Sequence, residues 1–150
     1  MPSLRRAAIG VLVALSALGV VGCSSATRHP PPPVQAALKA ALDTGNFGGV
    51  QGSFAPSVGY AIAASGSFGT MSSAETVGWI AGYLAGTHGP WDFAIPAAAL
   101  DAFKKGPYRQ YLHDDTYFGV NADKFFISVR VNAAGAIDQV FMAASTDLLK

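Results

Sequence analysis

Cysteine is all but missing from this chain: Cys23 is the only one in 150 residues. No internal disulfide can brace the fold, so its stability must come from a packed core. Charge is also sparse, at 13% of residues, and Glu75 is the only glutamate. Ten Lys/Arg stand against nine Asp/Glu, and two of the ten, Arg5 and Arg6, precede Cys23. The part from Cys23 onward is therefore near neutral, with eight basic residues against nine acidic ones. That balance lacks the basic face a nucleic-acid binder needs and gives no long-range attraction to anionic lipid. Enzyme motifs are missing as well. Ser65-Gly66-Ser67-Phe68-Gly69 lacks the first glycine of a nucleophile elbow. No phosphate-loop lysine motif and no HExxH occur. The sequence thus assigns no catalytic residue, no metal-ligand set and no cofactor.

What the chain does have begins at its N-terminus. Arg5 and Arg6 precede an apolar run from Ala7 to Gly22, and small residues stand before Cys23. The run falls short of the ~20 residues that span a bilayer as a helix. A basic start, an apolar middle and a small-residue end describe an export signal over residues 1–22. The stretch Leu18-Gly19-Val20-Val21-Gly22-Cys23 resembles the lipobox of bacterial lipoproteins. The resemblance implies that Cys23 carries a thioether-linked diacylglycerol and becomes the first residue of the mature protein. Several acyl chains then hold the protein on the membrane, at about 0.8 kcal/mol per buried methylene. An uncleaved anchor and ordinary secretion with cleavage elsewhere are the plainer readings. Ser24, rather than Asp, follows the cysteine, which favours the outer membrane facing the periplasm if the host is Gram-negative.

Residues 23–33 then read as a tether. Four consecutive prolines, Pro30 to Pro33, favour an extended polyproline II rod of roughly 3.1 Å per residue. A recognition role for that run is the sharper alternative to a spacer. Residues 34–150 suit a single globular domain.

Within the domain, Val34 to Leu42 reads as a helix, closed by Asp43-Thr44-Gly45. Residues 45–72 are rich in Gly and Ser. Val58 to Ala64 reads as a strand there, and Gly66 to Met71 as a loop. Ser72 and Glu75 form a capping-box pattern before a helix of about 73–86. Val77, Ile80, Ala81 and Leu84 make its apolar stripe. Pro96 opens another helix that runs to Lys105 and stops at Gly106-Pro107. Lys124 to Val131 alternates, with Phe125, Ile127, Val129 and Val131 on one face and Lys124, Ser128 and Arg130 on the other. Asn132 to Gly135 is a turn, and Ile137 to Ala144 is the return strand. Tyr117 to Val120 adds a third strand. The expected fold class is α+β: two or three short helices packed on a small antiparallel sheet that ends in a β-hairpin.

The helix, Gly-Pro break and hairpin carrying Val129, Val131, Asn132, Gly135 and Ile137 resemble the small lipoproteins of the outer-membrane barrel-assembly machinery, the BamE or SmpA family. That resemblance implies helices on a three-stranded sheet and a scaffold role. The family's Gly-Met-Thr helix opening is replaced here by Gly69-Thr70-Met71-Ser72.

Six residues stand out as candidate contacts with a partner. Trp79 and Tyr83 lie four apart on one helix, either as an interfacial anchor or as core under the Gly-rich loop. Tyr108, Arg109, Tyr111 and His113 precede Asp114 and Asp115 in the densest polar stretch. That stretch reads as a solvated loop or as a site. Gly78, Gly82 and Gly86 form a small-residue ridge, pressed on the domain's own sheet or used for self-association. The primary functional expectation is a membrane-anchored envelope lipoprotein with a non-enzymatic binding or scaffold role. It sits in the bilayer through acylated Cys23 and meets an envelope protein or a cell-wall component. Two alternatives stand beside it. One is an inhibitor or immunity lipoprotein that blocks a periplasmic wall-degrading enzyme. The other is a hydrolase using His113 with Asp114 or Asp115.

Overall fold

The computed structural model describes residues 33–87, 90–113 and 115–150. The signal segment, Cys23 and the tether up to residue 32 lie outside the described residues, as do His88 and Asp114. Three helices and a five-stranded sheet make an α+β fold. The helices are α1 (Pro33–Thr44), α2 (Ser73–Tyr83) and α3 (Ala97–Lys105). The strands are β1 (Phe54–Ile62), β2 (Phe68–Ser72), β3 (Thr116–Val120), β4 (Phe126–Val131) and β5 (Ile137–Ala143). Short 3-10 turns lie at Gln51–Ser53, Arg109–Tyr111 and Thr146–Leu149. The strand order is β2-β1-β5-β4-β3. Neighbours run antiparallel except β1 and β5, which are parallel. The last proline of the expected tether, Pro33, is the first residue of α1, where its missing N–H costs nothing.

Local chemistry explains the elements. The Ser72 Oγ accepts from the Glu75 N–H at 3.3 Å, and a Glu75 carboxylate oxygen accepts from the Ser72 N–H at 2.8 Å. This reciprocal cap starts α2 where its pattern predicts. The hydrogen bonds from Ser72 hold the Glu75 carboxyl below its ordinary pKa. Asn132 shapes the β4–β5 hairpin: its Oδ1 accepts from the N–H groups of Ala134 and Ala136. Gly135 takes the left-handed conformation that the turn requires (φ +81°).

The sheet is covered on both faces. Leu38 of α1 and Ile80 of α2 pack with Val58, Ile127, Val129, Val140 and Met142 on one side. Phe103 of α3, Leu112 and Leu149 pack with Phe118, Phe126, Phe141 and Ala143 on the other. The expected apolar face of β4 is present, but its second face is buried too. Ser128 is fully enclosed, and its hydroxyl donates to the Tyr111 carbonyl at 3.1 Å. Trp91 is also core; its backbone N–H donates to an Asp43 carboxylate oxygen at 2.7 Å. Lys39 bonds the same carboxylate.

Three expectations are corrected. Residues 66–71 are not all loop: Phe68–Ser72 is strand β2, paired with β1 from Ala61↔Phe68 to Ser57↔Ser72. Its residues are nearly all exposed, so no buried face marks it in sequence. Helix α2 ends at Tyr83, and Gly86 is left-handed beyond it. The glycine ridge is not pressed on the sheet. Gly78 and Gly82 are exposed, and a Cβ on either would meet nothing within 4 Å. The helix buries Thr76 and Ile80 instead. The Thr76 hydroxyl donates to the Ser72 carbonyl, so a polar residue is buried beside the expected stripe, of which Ile80 and Leu84 are buried and Val77 and Ala81 pack against the core.

Opposite glycine effects follow. Gly78→Ala and Gly82→Ala should each raise unfolding stability by about 0.5–1 kcal/mol through helix propensity. Gly106→Ala should lower it by about 1–3 kcal/mol, since its Cβ would fall 1.9 Å from the Leu149 carbonyl oxygen. Urea denaturation of the three variants checks both signs. Asp43 sets a pH dependence. Burial alone would raise its pKa, but the bonds from Lys39 and Trp91, with the Lys39 charge, outweigh it and hold the carboxyl below its ordinary value. Its contribution is full above the unfolded value of about 3.9 and is lost as pH falls through the folded one. Asp43→Asn should therefore show a shallower fall in stability than the parent in urea titrations from pH 5 to pH 2.

Candidate functional site

The best candidate is a groove of about 430 Å³ on the α3 side of the sheet, where the second layer stops short of β2. Strand register places Thr70, Gly59, Gln139 and Arg130 in one row across β2, β1, β5 and β4. These four form the floor, with Phe68, Tyr111 and His113 around them. Gly59 hollows the middle of the row. A Cβ there would meet only ordinary contacts, the nearest at 3.7 Å, so space rather than backbone strain is what the glycine supplies. Phe68 is 72% exposed, the most exposed large apolar side chain among the described residues.

Arg130 supplies the groove's guanidinium. Its Nε donates to one Asp138 carboxylate oxygen at 2.8 Å and its NH2 to the other at 3.2 Å. This fork-on-carboxylate pair raises the guanidinium pKa, and the nearby Asp115 charge adds to the effect. Arg130 is thus already neutralised, which leaves little attraction for an anionic ligand. Beside it, the Gln139 Oε1 is buried without a hydrogen-bond partner. A buried acceptor left unpaired costs free energy until a donor reaches it.

The six expected contact residues divide. Tyr111 and His113 line the groove. Tyr111 is also stacked on Phe141 with centroids 5.0 Å apart and planes 7° from parallel, so its ring is a rigid wall. Tyr108 is a brace: its hydroxyl accepts from the Ala64 N–H at 2.6 Å, and its ring packs against Phe141. Ala64 has a positive φ of 61°, an unfavourable conformation for alanine that this bond helps to hold. Arg109 is exposed beside the groove wall, on the same 3-10 turn as Tyr111. Trp79 and Tyr83 lie on the opposite face, half-buried in an aromatic row with Tyr60 and Phe125. Burial raises the Tyr83 pKa. Cys23 lies outside the described residues.

His113 and Asp115 are both exposed, and no hydrogen bond joins their side chains. The His113 carbonyl, not its ring, serves the local turn by accepting from Thr116. Sequence reasoning missed Gly59, Phe68, Arg130 and Gln139. Only Phe68 left a trace, as the lone aromatic in a Gly-Ser stretch.

Neither a known protein family nor a curated protein matches this chain. Among solved structures, it is similar to a DUF4783 family protein from Bacteroides fragilis. The two share 14% identity over 77% of this chain and 97% of that one, with a TM-score of 0.48.

The bracing role of Tyr108 has a direct test. Tyr108→Phe keeps the ring and removes one hydrogen bond, so it should cost about 0.5–1.5 kcal/mol in urea denaturation. It should leave partner binding at the groove unchanged.

Proposed function

We propose that this chain is a lipid-anchored protein of the bacterial cell envelope that binds a partner protein through the β2 edge and its groove, without catalysis. The observation that carries this reading is Phe68, an aromatic side chain 72% exposed on an edge strand. That strand, Phe-Gly-Thr-Met-Ser, bears no charge and no proline to block pairing. An extended segment of a partner adds to such an edge through main-chain hydrogen bonds, while neighbouring pockets select its side chains. Here the pocket over Gly59 would receive a side chain. The lipobox pattern ending at Cys23 supplies the membrane attachment. The barrel-assembly resemblance agrees with a scaffold role of this kind.

A second reading rests on Arg109, exposed on the turn beside the groove, and His113, exposed just past it. Such a turn suits an inhibitor that inserts into a wall-degrading enzyme.

Cross-linking of the full-length chain in its own host, read by mass spectrometry, tests both. One dominant envelope protein should be captured. Phe68→Asp and Gly59→Val should each reduce its recovery about tenfold or more, as loss of a central binding contact does. Cys23→Ser should release the complex from the membrane. Recovery unchanged in both groove variants would overturn the site. A captured wall hydrolase, lost on Arg109→Ala with His113→Ala but not on Phe68→Asp, would establish the inhibitor reading.

A further inference from the structure

The two edges of the sheet are treated differently. At β3, Asp92 pairs with Val120 through backbone hydrogen bonds of 2.8 and 2.9 Å, so a neighbouring segment covers part of that edge. At β2, no strand or bridge among the described residues lies along the outer side. The phase of the β1–β2 ladder decides which groups that side presents. The Ile62 N–H donates to the Ser67 carbonyl at 3.0 Å, in the register that sets Ala61 opposite Phe68. Hydrogen-bonded pairs alternate with non-bonded ones along an antiparallel ladder. Gly69 and Met71 therefore turn their N–H and C=O groups to β1, while Phe68, Thr70 and Ser72 turn theirs outward. Ser72 is already engaged: its N–H donates to the Glu75 carboxylate, and its carbonyl accepts from the Thr76 hydroxyl. What the edge offers is the N–H and C=O of Phe68 and of Thr70, both exposed.

That set closes on itself under a two-fold axis. With the axis beside Gly69, Phe68 of one copy lies opposite Thr70 of the other. Each residue then donates its N–H and accepts at its C=O, and every offered group is satisfied. An axis at Thr70 would set Phe68 against the engaged Ser72. An axis at Phe68 would set Thr70 against Gly66, which lies in the turn at a positive φ of 68°. Gly69 also suits the axis, because it would meet its own copy in a non-bonded pair, where Cα atoms approach to about 4.5 Å. The side chains agree with the backbone. Phe68 and Thr70 share a face, so Phe68 of one copy extends the row of Thr70, Gly59, Gln139 and Arg130 in the other. Its ring lies over Thr70 at the mouth of the hollow that Gly59 leaves. Charge does not oppose this: β2 carries none, and Arg130 is neutralised by Asp138.

We infer that the protein seated on the β2 edge is a second copy of this chain, paired antiparallel about Gly69, with each Phe68 entering the other copy's groove. This rests on the β2-edge reading above and names its occupant. The interface is isologous, the commonest form of self-association. Two five-stranded sheets become one continuous sheet, and each groove is completed by a residue of the other copy.

The test is disulfide trapping in membranes of the native host. Two tagged full-length chains are co-expressed, one carrying Phe68→Cys and the other Thr70→Cys. Both positions are exposed, so the fold tolerates either change. After oxidation, mass spectrometry of linked peptides separates links at these positions from any through Cys23. Opposed residues in this register have Cα atoms about 5.5 Å apart, within disulfide reach, whereas like residues sit diagonally at about 7–8 Å. The 68–70 link should therefore exceed the 68–68 and 70–70 links about tenfold. In chemical cross-linking of the otherwise unchanged chain, Thr70→Pro removes an outward N–H and leaves the pairing with β1 intact. It should lower dimer yield about tenfold, since each copy loses one main-chain bond to the other. Thr70→Val keeps the backbone groups and should leave the yield near the parent level. Like-residue links as frequent as the mixed one, no link at either position, or a dimer indifferent to Thr70→Pro would overturn the inference. A different captured protein that is still lost on Phe68→Asp would then leave the β2-edge reading standing. Capture indifferent to Phe68→Asp would overturn both.

Discussion

From Val140 to Ala143, strand β5 has no solvent face, and the rest of the structure answers to that constraint. Val140 and Met142 point into one core, while Phe141 and Ala143 point into the other, and all four are fully buried. A central strand of this kind needs a layer on each side and a partner on each edge. Helices α1 and α2 form one layer. Helix α3 with the turns at Arg109–Tyr111 and Thr146–Leu149 forms the other. Parallel β1 and antiparallel β4 supply the edges. Phe141 ties the second layer together: Tyr108, Tyr111 and Phe126 all place their rings within 6.2 Å of it, centroid to centroid. Buried aromatic pairs of this geometry contribute about 0.5–1.5 kcal/mol each beyond their burial.

The candidate surface is a by-product of how that second layer is built. Its irregular turns cover the Phe118–Phe126–Phe141 region and end before the row of Thr70, Gly59, Gln139 and Arg130. The uncovered row becomes the groove, with Phe68 standing at its outer edge. The Arg130–Asp138 pair quenches charge at this groove.

The same two-sided burial explains what could and could not be read from residue order. The capping box, α3 between Pro96 and Gly106, and the Asn132–Gly135 hairpin were legible because each rests on contacts within a few residues. The sidedness of β4 was half legible. Its alternation names the face that meets α1 and α2, but Ser128 looks solvent-facing until Tyr111 arrives to accept its hydroxyl proton. Strand β2 was hidden because an exposed edge strand has no apolar alternation, and its register comes from β1. The glycine ridge misled for a related reason: small residues permit close approach, but only the helix's rotation decides whether anything approaches.

By itself, then, the sequence determined the lone cysteine, the near-neutral charge, the capped start of α2, the β4–β5 hairpin and the α+β class. These depend on composition and on neighbours close along the chain. Only the tertiary structure decided that Tyr108 braces a turn while Tyr111 walls a groove, and that Trp79 and Tyr83 sit on the opposite face. It alone joined Gly59, Phe68, Arg130 and Gln139. Those four come from four strands, and the pairing of β1 with β5 crosses some eighty residues of chain. Such a row exists only once hydrogen-bond register has been set across the whole sheet, and no local pattern encodes register between strands that far apart.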